Sequence, residues 1–248
     1  MSDKSYRKLA LEAVRHNWKN LKYVDNQTEE TCIEAVIQDG MALQYVKEQT
    51  IEICLIAVKE DGRHIQYVRD QTEEICKVAL DNDRRAFKHI RNPSEEICLQ
   101  AVRRWGYTLK HIKDQTERIC IEAVSNWSCV LNLVTNQTDA ICLAAVKHNG
   151  SNIAYVKDQT EELCIEAVKN YGSALQFVKE QTEELCLEAV KTNGIALSYV
   201  NNQTLKICLT AVEQDKRSLV FVRDLRMKEA CESFFQGTRF LKTKSAKV

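Results

Sequence analysis

The stretch QTEELCLEAVKTNGIALSYVNN, Gln181 to Asn202, decides the fold, because the chain repeats it ten times over. The copies are 22 residues long and run without insertion or deletion from Ser5 to Asp224 of the 248 residues. A fixed short period marks stacked supersecondary units rather than a domain closed around one core. Residues 1–4 form a short lead, and the 24 residues after Asp224 leave no room for a separate enzyme domain.

Slots 1 to 22 are counted here from the Gln-Thr pair. Thr or Ser fills slot 2 in nine of the ten copies, and slots 3 and 4 are mostly acidic. A hydroxyl followed by carboxylates predicts a helix start, since the oxygen accepts an orphan N–H and the acids face the positive helix end. Slot 14 is Gly in six copies (Gly40, Gly62, Gly106, Gly150, Gly172 and Gly194), which predicts a left-handed helix stop. Helix A is therefore expected over slots 3 to 13, and a shorter helix B or helical turn over slots 15 to 21. The copies with Trp18, Arg84, Ser128 and Lys216 at slot 14 depart from this pattern.

Slots 5, 6, 7, 9 and 10 are apolar and cover about 200° of helix A. A surface helix needs a stripe of only about 100°, so helix A is expected to have a neighbour on each side. Slot 9 is Ala in all ten copies, from Ala13 to Ala211, which predicts the closest backbone approach there. Slot 17 is Leu, Ile or Phe, slot 19 is usually aromatic and slot 20 is Val or Ile; these are expected to seal helix B onto helix A. The predicted architecture is an all-α solenoid of ten two-helix repeats. A capping helix is expected over Leu225 to Gln236, followed by a basic flexible tail over 237–248.

The tandem pattern E-E-I-C-L-E-A-V-K-x-N-G-x-A-L-x-Y-V resembles domain-of-unknown-function family 4116. The resemblance implies a repeat type common in giant DNA viruses of amoebae and found in some bacteria, and it implies no chemistry. The two-helix units also resemble variant leucine-rich repeats in architecture alone.

Lys plus Arg and Asp plus Glu each number 35, so the chain is neutral and any basic site must be local. The longest unbroken apolar run is seven residues, Ala140 to Val146. A membrane span needs about 20, and the N-terminus shows no apolar signal core, so a soluble cytoplasmic monomer is expected. Nine of the eleven cysteines recur at slot 6. Equivalent positions in stacked helices lie about 8–10 Å apart, too far for a disulfide or one shared zinc. A buried, reduced ladder is expected, with Cys129 at slot 15 exposed. Lys77, where other copies carry Leu or Ile at slot 7, is either turned outwards or a local irregularity.

Phosphate loops, zinc-protease motifs, nucleophile elbows and dinucleotide fingerprints are absent from the sequence, so no enzyme and no cofactor are expected. His89 and His111 share the aromatic slot 19 and are read as packing residues rather than a metal pair. Charge is segregated along the chain: Arg84 to Asp114 carries eight basic and three acidic residues, whereas Gln159 to Val190 carries two and seven. By α-helical geometry slots 15, 18, 21 and 22 share one exposed arc. In copies 3 to 5 that arc holds Arg63, Arg69, Arg85, Lys88, Arg91, Lys110 and Lys113 beside Tyr107, opposed only by Asp70 and Asp114, in a strip some 20–30 Å long. A noncatalytic scaffold that binds an acidic peptide or helix of another protein, in a virus–host setting if the resemblance extends so far, is the expected function. An RNA- or nucleic-acid-binding solenoid that uses the same basic face is the alternative.

Overall fold

A computed structural model describes residues 3–127 and 129–234. The protein is an all-α solenoid, and no strand occurs among the described residues. Two compact units, Met1–Asp114 and Gln115–Val248, divide at a repeat boundary. Each unit is a stack of five repeats in which the α-helix of one repeat packs on the next. The second unit ends in a further helix over 225–234, which buries Cys231. Residues 235 and 236 of the expected cap, and the expected tail, lie outside the described residues.

The α-helix starts where expected. In repeat 9 the Leu185 N–H donates to the Thr182 hydroxyl at 3.2 Å, and the helix runs Glu183–Thr192. It stops one residue earlier than expected, at slot 12, and by a different device. Slot 13 is extended, with φ −150° and ψ 108° at Asn193, and its N–H closes the helix onto Ala189 O at 2.9 Å. The same residue caps the next element: the Asn193 side chain accepts from the Ile195 N–H at 3.1 Å. Asp or Asn caps in this way at Asn17, Asp39, Asp61, Asp83, Asn149, Asn193 and Asp215.

No glycine among the described residues has positive φ, so the left-handed stop is corrected. Slot 14 is glycine for lack of room. A Cβ on Gly172 would stand 2.6 Å from Ala189 O and one on Gly194 2.5 Å from Ala211 O, both in the following repeat. Slot 9 is the close-approach position that its invariant alanine suggested, and Ala35 through Ala211 are fully buried.

Helix B is also corrected. It is a 3-10 helix over slots 14 to 19, as in Gly194–Tyr199, shortened to Leu131–Leu133 in repeat 6. Six-residue 3-10 runs are longer than an isolated chain favours. Here the three-residue turn sorts the slots into rows: Gly194, Leu197 and the following Val200 are all buried. Slots 15 and 18 share another, outward row.

Side-chain amides join the repeats. The slot 1 glutamine donates to a carbonyl of the preceding repeat and to one of its own: Gln181 Nε2 meets Leu175 O at 3.4 Å and Tyr199 O at 3.0 Å. Its Oε1 accepts the slot 21 amide, as from the Asn201 N–H at 2.9 Å. At slot 12, Asn170 accepts from the Gly150 N–H at 2.8 Å and donates to Lys147 O at 2.9 Å. Basic residues at slot 21 reach back one repeat, as Lys179 Nζ does to Lys157 O at 2.8 Å. These bonds satisfy backbone groups that a two-helix unit cannot satisfy alone.

Candidate partner-binding face

The structure exposes all eight residues of the expected basic face: Arg63, Arg69, Arg85, Lys88, Arg91, Tyr107, Lys110 and Lys113. It does not give them one task. Arg85 forms a two-pronged contact with Asp83, with Nη2 2.8 Å from Oδ2. Arg63 does the same with Asp61 and lies 3.6 Å from Asp83. The Arg63 hydrogen bond holds the Asp61 carboxyl down to about 2, and Arg85 lowers that of Asp83. Both arginines therefore fasten the aspartates that cap their own 3-10 helices.

Arg69 and Arg91 are stacking clamps. Arg69 donates to Lys47 O at 2.6 Å and Val46 O at 2.9 Å; Arg91 donates to Arg69 O at 2.7 Å and Val68 O at 2.6 Å. Lys88, Lys110 and Lys113 make no ion pair or side-chain hydrogen bond with the described residues. Lys88 and Lys110 occupy slot 18 of successive repeats, and Tyr107, at slot 15 of the second, is 53 % exposed. The single arc of slots 15, 18, 21 and 22 gives way to a 3-10 row of slots 15 and 18, because the helix ends before slot 21.

Cations of neighbouring repeats act on the slot 19 imidazoles. Burial comes first in depressing the His111 pKa, followed by the charges of Lys110 and Lys88. Burial likewise comes first at His89, followed by Lys88 and Arg63. Neither imidazole belongs to a cluster able to hold a metal among the described residues. Beside this face Trp105 takes slot 13 and supplies no side-chain cap, while the Arg104 guanidinium stacks 4.8 Å from its ring centroid.

One cluster the sequence did not suggest brings donor atoms of Asp39, Glu60 and His64 within 4.8 Å of one another. Each already has a structural partner. Asp39 Oδ1 accepts from the Met41 N–H at 2.9 Å and Glu60 Oε2 from the Gly40 N–H at 2.6 Å. His64 Nδ1 lies 3.2 Å from Ala57 O. In the same slot Asn20 and Asn152 donate an amide N–H to the equivalent carbonyl at 2.8 Å. By that equivalence the His64 ring nitrogen takes the place of an amide donor toward the slot 9 carbonyl.

The slot 6 cysteines from Cys32 to Cys208 are buried thiols, and several donate weakly to the slot 1 glutamine, as Cys32 Sγ does to Gln27 Oε1 at 3.6 Å. Burial first, then the slot 3 carboxylate Glu117, raises the Cys120 pKa to about 11. Cys129 is exposed. Lys77 turns outwards and pairs with Glu73 at 2.6 Å, which settles its place at slot 7.

Sequence reasoning missed the interlocking of slots 1, 12 and 21. The signal lay in slot 1, which is Gln in eight copies and Pro93 in the fifth.

No helix among the described residues is long and apolar enough to cross a membrane. Comparison with curated proteins yields no match, nor does comparison with solved structures. The model of the family described as Domain of unknown function (DUF4116) matches residues 140–181 and 160–204, so the repeats in that part of the chain resemble that family.

Proposed function

We propose that the protein is a noncatalytic scaffold that binds an acidic segment of another protein through the basic face of repeats 4 and 5. One observation carries this reading. Lys88 and Lys110 stand exposed at the same slot of successive repeats with no counter-ion among the described residues, whereas neighbouring arginines are spent on caps and clamps. Ammonium groups left in water on a regular backbone are suited to carboxylates presented along a strip. The cluster of Asp39, Glu60 and His64 found among the described residues is engaged with backbone groups and lends no support to a catalytic reading.

The test is Lys88→Glu with Lys110→Glu. Arg85 is left alone because its loss would disturb the Asp83 cap. Binding of a short fluorescein-labelled glutamate-rich peptide, followed by anisotropy, should fall by at least about tenfold with an unchanged melting temperature. Equal binding by wild type and the double variant refutes the reading. Tighter binding of a labelled oligonucleotide, with a steep loss on adding salt, would make the face a phosphate-backbone site instead.

A further inference from the structure

The step from repeat 4 to repeat 5 departs from the stack at three linked positions. At slot 14 Arg84, like Trp18, Ser128 and Lys216 in other repeats, replaces the glycine that at Gly62, Gly150, Gly172 and Gly194 leaves room for the next slot 9 carbonyl. At slot 12, Arg104 cannot accept a hydrogen bond as Glu60, Asn82, Asn170 and Gln214 do, and it pairs with Asp81. At slot 1, Pro93 has no side-chain amide. Correspondingly, the α-helices Glu73–Asn82 and Glu95–Arg104 pack less closely than the other neighbouring α-helices of the first unit.

The effect converges on Lys113, at slot 21 of repeat 5. In eight other repeats the slot 21 N–H is accepted by the slot 1 glutamine. In repeat 1 the Tyr6 hydroxyl accepts it from Asp25 at 3.0 Å. The Lys113 N–H meets no acceptor among the described residues. Its side chain also differs. Lys47, Arg69, Arg91, Lys157, Lys179 and Arg223 all reach back to a carbonyl of the preceding repeat, and Lys113 does not. One exposed residue thus carries a backbone donor and an ammonium with no acceptor among the described residues, three positions beyond Lys110 in the same repeat.

We infer that this step is where the acidic partner docks: a carboxylate of an extended segment takes the place of the missing glutamine oxygen on the Lys113 N–H and pairs with its ammonium, while further acids of the segment meet Lys88 and Lys110. The inference rests on the proposed function and adds a location and a contact to it. Internal oxygens already do this work elsewhere. Gln71 Oε1 accepts the Arg91 N–H at 2.8 Å, and the Glu60 carboxylate accepts the Gly40 N–H at 2.6 Å. A partner's carboxylate is the same acceptor supplied from outside, and charge-assisted bonds of this kind are the stronger ones.

Pro93→Gln tests it without changing charge. The variant restores the slot 1 residue of its neighbours and should fold with an equal or higher melting temperature. Affinity for the labelled glutamate-rich peptide should fall at least about tenfold. Lys113→Pro, which deletes the N–H, should bind more weakly than Lys113→Ala, which keeps it; Ile112 has φ −86° and ψ 118°, a conformation that accepts a following proline. In the wild-type protein, peptide should slow exchange of the Lys113 amide. Full binding by Pro93→Gln and Lys113→Pro, with binding lost in Lys88→Glu/Lys110→Glu, overturns the docking step and leaves the basic face standing. Full binding by all the variants overturns both.

Discussion

Gly172 and Ala189 belong to successive repeats, and a Cβ on the first would meet the carbonyl oxygen of the second at 2.6 Å. The obstacle is backbone and cannot swing away. Gly172→Ala should therefore destabilise the second unit by about 1–3 kcal/mol or more, the range for overpacking a tight contact. Urea unfolding measures it. Adding Ala189→Gly should not rescue the variant, because the methyl removed is not the atom in the way. Recovery in that double variant would show that side-chain crowding, not the carbonyl, sets the repeat spacing.

Gln159 holds three backbone groups, with Nε2 to Ile153 O at 2.9 Å and Phe177 O at 3.0 Å, and Oε1 from the Lys179 N–H at 3.0 Å. Gln159→Ala should cost about 1–3 kcal/mol, the penalty for leaving such groups unmatched. Gln159→Glu keeps only the acceptor role and should fall between. A neutral outcome for Gln159→Ala in urea titrations would mean that water replaces the clamp without loss.

Alkaline pH should loosen the stack. Burial raises the slot 6 thiols, to about 11 at Cys32, Cys98, Cys120 and Cys208 against an ordinary 9.0. A raised folded pKa means that the unfolded chain loses protons first, so the stabilisation is complete below pH 9 and disappears as pH rises towards 11. The urea midpoint should decline across that window, and less steeply in a Cys120→Ala variant compared at its own neutral-pH stability. A flat profile contradicts the burial of the ladder.

Mild acid should act on the first unit through His89 and His111. Their pKa values are lowered, chiefly by burial, so the unfolded chain binds protons more readily and stability is lost as pH falls below about 6.5. Tyrosine fills this slot in Tyr23, Tyr45 and Tyr67. His89→Tyr/His111→Tyr should reduce the loss between pH 7 and 5.5, read from thermal melts. An unchanged acid slope in that variant would assign the effect to other groups.

The basic face was legible as residues and not as roles. Arg85 and Lys88 read alike in the sequence, yet one is fastened to Asp83 and the other is not. The difference lies in slot 13, where the aspartate beside Arg85 has a second task as a cap. Pro93 stood out as the one proline. Its meaning required the glutamine clamps of the other repeats, which join atoms 18 to 20 residues apart.

By itself the sequence determined the period, the all-α class, the helix starts, the wide apolar arc and the burial of the cysteines. Those follow from interactions within one turn of helix or from the average polarity of a face, and both are written locally. Only the tertiary structure decided why slot 14 is glycine, that the second helix winds as a 3-10 helix, and which cations are held by groups of the described chain. Arg85 answers to the cap of its own 3-10 helix, whereas the glycine answers to a carbonyl of the following repeat and the Arg69 and Arg91 clamps to carbonyls of the preceding one. The chain sets the distance to such a group only when the repeats stack.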